Sequence, residues 1–203
     1  MIFNLIPSDE IIEKTKNALT SNGMTTEIVN TAEDAKKRVL EIIPEGSEVM
    51  NTSSITVDST ELPMEINESG KYNSVKNKLN SLNRKTDSLE MQRLGAAPEY
   101  IIGSVHAITT DGKVIIASNT GSQLPGYAYG SSNVIWIVSV KKITNDLDEG
   151  IKRVYEYVLP LESERVKKAY GMPHSFVSKL LIFNREVNPE RIKVILVKED
   201  LGF

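Results

Sequence analysis

"SDEIIEKTKNALTSNGMTTEIVNTAEDAKKRVLEIIPEGSEVM", residues 8–50, is the stretch on which the fold assignment turns. After Ser8, the side chains of Ile11, Ile12, Thr15, Ala18 and Leu19 recur at helical spacing, and Gly23 stands just past the last turn as a stop signal. "MTTEIV" (24–29) then reads as a strand. Thr31 with Asp34 makes an approximate capping box for the helix "AEDAKKRVLEII", which Pro44-Glu45-Gly46 ends. "SEVM" (47–50) is short and apolar enough for a buried strand. Helix, strand, helix, strand is the order of an α/β sheet with parallel neighbours, because each helix supplies the crossover that parallel pairing needs.

Outward from this stretch, residues 53–97 are polar and helix-favouring. Val75, Leu79 and Leu82 share one helical spacing, and Leu89 and Leu94 another. Gly and Pro are too sparse there for a flexible tether, so the segment is expected to cover one side of the sheet. "EYIIGSVHAIT" and "KVIIAS" flank Thr110-Asp111-Gly112, a strong hairpin signal. "NVIWIVSV" (133–140) reads as a central strand. Asn145 and Asp148 are placed to cap "DLDEGIKRVYEYVL", with Leu147, Ile151, Val154 and Val158 on its buried face and Pro160 as its stop. "SKLLIFN" and "RIKVILV" add strands around the turn Glu186-Val187-Asn188-Pro189. The expected whole is a single domain over residues 1–203, with a mixed, mainly parallel sheet of about six to eight strands flanked by helices.

Composition narrows the function. The formal net charge of −3, from 24 Lys and Arg against 27 Asp and Glu, gives no reason to expect nucleic acid or an anionic membrane as partner. With no cysteine, disulfides, thiolate catalysis, thiolate zinc sites and a self-ligated iron–sulfur cluster are excluded. The start "MIFNLIPSDE" lacks the basic and apolar regions of a signal peptide, and no segment approaches the roughly 20 apolar residues of a bilayer span; a cytoplasmic protein is expected.

Ligand sites in open α/β sheets gather beyond the carboxyl ends of strands, and three polar stretches lie there. In "NTSSIT" (51–56), Thr52, Ser53, Ser54 and Thr56 and their backbone N–H groups suit a phosphate or carboxylate; the same residues suit an ordinary helix cap. In "ASNTGSQLPGYAYG" (117–130), Asn119, Thr120, Ser122 and Gln123 offer donors and acceptors, Gly121 and Gly126 permit close backbone approach, and Tyr127 can meet a ligand with an apolar face or cover core. A connection this long is uncommon without a role, which favours binding. In "GSVHAIT" (103–109), His106 is the candidate for proton transfer, against a packed strand histidine. Arg93 and Lys141 are candidate charge partners, against exposed basic side chains. His174 has no second ligand at metal spacing, so no metal is expected. The chain has neither GxGxxG, nor GxxxxGK[ST], nor GxSxG. The basic run "KYNSVKNKLNSLNRK" lacks the interleaved aromatics that stack on bases. No bound cofactor is expected.

The segments "RLGAAPEYIIGSVHAITTDGKVIIASNTGSQLPGYAYG" and "VIWIVSVKKITNDLDEGIKRVYEYVLPLESERVKKAYG" resemble the LUD-domain proteins, named after lactate utilisation. The likeness extends over nearly the whole chain and is most specific at residues 120–122 and from Val134 to Leu159; the tail "KVILVKEDLGF" is similar to that of the stand-alone single-domain branch. The resemblance implies a Rossmann-like sheet similar to that of ribose-5-phosphate isomerases, glucosamine-6-phosphate deaminases, coenzyme A transferases and 5-formyltetrahydrofolate cyclo-ligases. It implies a small anionic metabolite as ligand, such as a hydroxy or keto acid or a phosphorylated compound. The alternatives it implies are an accessory subunit beside an iron–sulfur protein in lactate oxidation, or an isomerase or acyl-transfer enzyme acting alone. Enzymes of this fold group are often homo-oligomers. The glycine-rich phosphate loop of the sugar-phosphate enzymes is absent from 52–56, and no motif assigns the transferase nucleophile to Glu61, Glu65 or Glu99.

Overall fold

Three apolar stretches pair side by side in the middle of the protein, which a computed structural model describes over residues 3–203. They are β4 (Tyr100–Gly103), β7 (Asn133–Ser139) and β10 (Ile192–Val197). Around them β1 (Thr25–Val29), β2 (Glu48–Asn51) and β3 (Asn73–Ser74) complete a six-stranded sheet in the order β1-β10-β7-β4-β2-β3, with every pairing parallel. Parallel sheets are covered on both faces, and alternate residues of these strands enter two separate cores. Ile101, Val134, Trp136, Val138, Val194 and Leu196 face one side. Ile102, Ile135, Ile137, Ile195 and Val197 face the other.

The second core is closed by α2 (Ala32–Ile42), α3 (Ile55–Asp58) and α4 (Leu62–Glu68), through Ala35, Val39, Val57, Leu62 and Ile66. The capping box of α2 forms as its sequence indicates: Thr31 accepts from the Asp34 N–H at 3.1 Å, and Asp34 accepts from the Thr31 N–H at 3.1 Å. The first core is closed by α1 (Asp9–Ser21) through Ile12 and Leu19, by α5 (Val75–Ser81) and α6 (Ser88–Ala96) through Val75, Leu79 and Leu94, and by a further sheet.

That further sheet is the main departure from the sequence-based expectation of one sheet. Its order is β8-β5-β6-β9, from β5 (Ala107–Thr109), β6 (Val114–Ser118), β8 (Ile143–Thr144) and β9 (Lys179–Phe183). The Asp111-Gly112 hairpin joins β5 and β6 as expected. The run "EYIIGSVHAIT", read as one strand, is two: β4 lies in the main sheet, β5 in the smaller one, and Ser104-Val105-His106 carry the chain between them. Apolar periodicity is the same on either side of such a break, so periodicity alone does not reveal it.

The outer face of the small sheet, with Ala107, Ile115 and Ala117, packs under α7 (Leu147–Arg153) and Val154 of the turn that follows it; α8 (Leu159–Tyr170) continues the helix. The N-cap is Asp146, one residue beyond Asn145, accepting from the Glu149 N–H at 2.8 Å; Asn145 contributes its own N–H to Glu149. Val154 and Val158 are buried, whereas Leu147 and Ile151 are half-buried. Pro160 does not stop the helix. A π-turn at Val154–Val158 directly precedes it, and the widened backbone accommodates the proline ring and its missing N–H without ending the helix. Gly171, at φ +68°, ends it.

A second π-turn, Gly126–Gly130, closes the long connection after β6. Arg191 fastens it. Its guanidinium donates to the carbonyls of Gly126 at 3.1 Å, Tyr127 at 2.6 Å and Ser131 at 3.0 Å, and pairs with Glu186 at 2.6 Å in a largely buried setting. This puts Tyr127 into the first core, edge-on to Trp136, which in turn meets Phe183 edge-on. Gly103 makes room for it: a Cβ there would lie 1.6 Å from the Tyr127 hydroxyl and 2.6 Å from Thr52 Oγ1.

Two stability predictions follow from these contacts. Arg191→Met leaves three carbonyls and Glu186 without their donor and is expected to cost about 3 kcal/mol in urea unfolding. Gly103→Ala is expected to cost about 2–3 kcal/mol by overpacking. Adding Tyr127→Phe, which removes the clashing oxygen, recovers part of that loss, measured by the same unfolding curves.

Candidate functional site

The carboxyl ends of β2, β4 and β7 and the end of β6 open onto one large cavity of about 1210 Å³. Four short segments supply its polar wall: 51–56 after β2, 104–106 between the sheets, 118–123 after β6, and Lys142 in the 3₁₀ turn Val140–Lys142 that follows β7.

Lys142 is the most unusual group there. Its side chain is 2% exposed and makes no salt bridge to a carboxylate among the described residues. Its Nζ donates to Thr56 Oγ1 at 2.8 Å, to the Val105 carbonyl at 3.1 Å and to Ser104 Oγ at 3.2 Å. Burial, with Arg153 and Lys141 nearby, holds its amine well below the ordinary lysine range. All three acceptors are neutral, so no charge compensates an ammonium at this position.

His106 stands next to it at the break between the sheets, half-buried. The Ala117 N–H donates to its Nδ1 at 3.1 Å, which puts the proton of the neutral ring on Nε2. Burial first, then the positive charges of Lys142 and Arg153, pull its pKa down to about 3. At neutral pH His106 is therefore an uncharged donor through Nε2 and not an acid held in its charged form. Arg153, fully buried in α7, donates to the His106 carbonyl and lies over the Tyr157 ring at 5.1 Å. This fixes the histidine backbone.

Asn51 ends β2 and lines the same cavity. It is 2% exposed, and neither its amide nitrogen nor its carbonyl oxygen has a protein partner. Buried polar side chains are nearly always paired, and an orphaned amide costs about 1–3 kcal/mol.

Of the residues singled out in the sequence, Thr52, Ser53, Ser54, Thr56, His106, Asn119, Thr120, Gly121, Ser122, Gln123 and Tyr127 all line this cavity. Several are also engaged with the protein itself. Thr52 shares a hydrogen bond with the Tyr127 hydroxyl at 3.2 Å, and Ser54 caps α3. Ser118 Oγ donates to Gln123 at 2.9 Å and accepts from the Gly121 N–H at 2.8 Å, Thr120 donates to Ser122, and Ser178 donates to Asn119. The loop is thus a self-bonded turn, with Gly121 at φ +86° pressed against Lys179. Three residues are placed elsewhere. Arg93 is an exposed side chain of α6 outside the cavity wall. Lys141 pairs with Asp200 and lines a separate cavity of about 160 Å³. Gly126 lies in the π-turn, with its carbonyl on Arg191.

Sequence reasoning passes over Asn51, Ser104 and Lys142. Asn51 begins the same polar stretch as Thr52, and a polar residue closing a buried strand was the available signal. Lys142 had none, because "VKK" looks like a solvated turn until the 3₁₀ geometry buries both lysines and brings the second to the cavity wall.

Among the described residues no helix is long and apolar enough to cross a membrane, and no group of three or more His, Cys, Asp or Glu residues could hold a metal ion. The similarity of the chain to known proteins lies in its fold. A crystal structure of a DUF162 family protein from Deinococcus radiodurans superposes with a TM-score of 0.57 over 94% of this chain and 99% of that one, at 14% identity. The crystal structure of eIF2B beta from Chaetomium thermophilum covers 69% of this chain and 46% of that one, at 13% identity and a TM-score of 0.34, too distant to bear on the fold. No curated protein matches the chain significantly. The LUD domain, however, matches residues 12–197, nearly the full length, with all of the strand-end cavity lining except Phe203 inside that span, and the chain belongs to the LUD-domain family.

Proposed function

We propose that the protein binds a small-molecule acid at the strand ends, a hydroxy or oxo acid or a phosphorylated metabolite, as part of cytoplasmic organic-acid metabolism. The observation that carries this reading is Asn51: a buried amide with both polar atoms unpaired at a cavity wall is complementary to a ligand that brings its own acceptor and donor. The Ser53 and Ser122 hydroxyls supply further donors, and Lys76, Arg84 and Arg165 in the wall, against Asp58 and Glu162, favour a negative ligand. His106 serves as a neutral donor through Nε2 to an oxygen of the ligand. The cavity exceeds the size of a three-carbon acid, and Leu79, Leu82, Met91, Leu159, Met172 and Phe176 line it with apolar surface. The reading therefore extends to acids with a larger apolar or planar body.

The test is thermal unfolding of the wild type and Asn51→Leu against hydroxy acids, oxo acids, sugar phosphates and coenzyme A thioesters. A bound acid at a hundred times its Kd adds about 2.7 kcal/mol, roughly 5–10 °C for a chain of this size. Asn51→Leu removes the orphaned amide, so it is expected to raise the midpoint of the free protein by a few degrees, about 1–3 kcal/mol, while losing the ligand shift. If no acid moves the wild-type midpoint, the reading fails and an accessory role beside a cysteine-bearing subunit takes its place.

The state of His106 is tested through pH. Its folded pKa of about 3 lies below the usual 6.5, so the unfolded chain binds the additional proton. Its contribution to stability is complete above pH 6.5 and is lost as pH falls toward 3. His106→Gln keeps an acceptor for the Ala117 N–H but does not titrate. Between pH 6.5 and 4.5 the wild type is expected to lose stability relative to this variant by on the order of 1 kcal/mol per pH unit, read from urea unfolding.

A further inference from the structure

Lys142 does more than its hydrogen bonds require of it. A lysine that serves only as a structural donor, or as a cation for an anionic ligand, gains from a carboxylate that keeps it charged, and ion-paired lysines elsewhere in this chain have one: Lys141 with Asp200, Lys36 with Glu61, Lys71 with Glu65. Lys142 is surrounded instead by two hydroxyls and a carbonyl, at the wall of the cavity, beside a neutral histidine. That is the setting of an amine readily deprotonated: once neutral, Nζ has two N–H groups for three partners, so the Ser104 or Thr56 hydroxyl donates to its lone pair and turns away to free it for attack, carrying a proton as it does.

We propose that Lys142 forms an imine with a carbonyl metabolite that also carries an acidic group. The proposal rests on the anion-binding reading above, in which Asn51 and neighbouring donors hold the acid. His106 donates from Nε2 to the carbonyl oxygen and polarises it. The Nζ lone pair attacks the carbonyl carbon, and the C=O π pair moves onto oxygen. The proton shed by nitrogen passes through the Ser104 or Thr56 hydroxyl to that oxygen. A second proton makes the oxygen leave as water while the nitrogen lone pair forms C=N; the nitrogen then returns one proton to the relay. The net change is amine plus carbonyl to imine plus water, with no oxidant or reductant. Burial that lowers the proton affinity of the amine favours this chemistry at neutral pH, where an exposed lysine is unprotonated in only about one molecule in 2,500.

The experiment is borohydride trapping on the full chain at pH 7 with pyruvate, glyoxylate or dihydroxyacetone phosphate as separate probes, followed by intact mass and peptide mapping. The expected result is one adduct per chain, a mass gain equal to the probe less one oxygen atom, mapped to Lys142 and exceeding labelling at any other lysine by about a hundredfold or more. Lys142→Arg, which keeps a cation, is expected to lose the adduct. Because mapping on the wild type already locates the adduct, the test stands even if that variant folds poorly. Calorimetric binding of a probe without an adduct at Lys142, or labelling spread over exposed lysines, overturns the imine and leaves the binding reading intact. Failure of every anionic ligand, probes included, to bind overturns both.

Discussion

The parallel pairing of β7 with β4 on one side and β10 on the other is the constraint on which the rest of the molecule depends. Parallel strands need a covering layer on each face, and they bring their carboxyl ends to one edge. The two cores follow from the first requirement and the cavity from the second. Val49, Ile102, Ile135 and Ile195 meet the α2–α4 layer, while Trp136, Val134 and Val194 meet α1 and the small sheet. Each such side chain contributes roughly 1.5–3 kcal/mol on burial, which makes this sheet the rigid base on which the polar segments at its edge are held.

The small sheet turns that edge into a site. Had the chain continued as one strand through residues 100–109, His106 would have been an interior strand residue. The break after Gly103 places Ser104, Val105 and His106 at the junction of two sheets, where the Val105 carbonyl and Ser104 hydroxyl can reach Lys142. The break depends on the loop that returns from β6. Arg191 holds that loop by its carbonyls, the loop holds Tyr127, and the Tyr127 hydroxyl occupies the space that Gly103 leaves beside Thr52. An interaction at the start of β10 thus shapes the end of β4.

The site is also where the protein departs from the rules that stabilise its other regions. Lys142 and Arg153 are buried without carboxylate partners, Asn51 is buried unpaired, and His106 is held neutral. The three buried groups without partners lower the stability of the free protein, and His106 does so only as pH falls below 6.5. Charged groups elsewhere are paired, as in the Arg38–Glu27 pair and the Arg191 network, while Ser131 Oγ and Trp136 Nε1 are two buried polar atoms outside the site that lack a partner. Lys142, Asn51 and His106 line the same cavity, and Arg153 lies behind it with its guanidinium on the His106 carbonyl.

Much of this architecture was legible in the amino-acid order. The Thr31–Asp34 capping box, the Asp111-Gly112 turn and the helical spacing of Ile12, Thr15 and Leu19 act through neighbours a few residues apart, so local chemistry determined those elements. The strand ends at 52–56 and the turn at 119–123 were legible as candidate site segments for the same reason. The division of residues 99–109 between two sheets, the passage of the helix through Pro160, and the turn of Lys142, and not Lys141, into the strand-end cavity depended on groups far away in the chain. Tyr127, the π-turn at 154–158 and the acceptors on Thr56, Ser104 and Val105 decide them. Local sequence determined which segments fold and where polar chemistry collects; only tertiary packing decided which of two buried lysines is left without a counter-charge, because desolvation and pairing are properties of the surroundings and not of the residue.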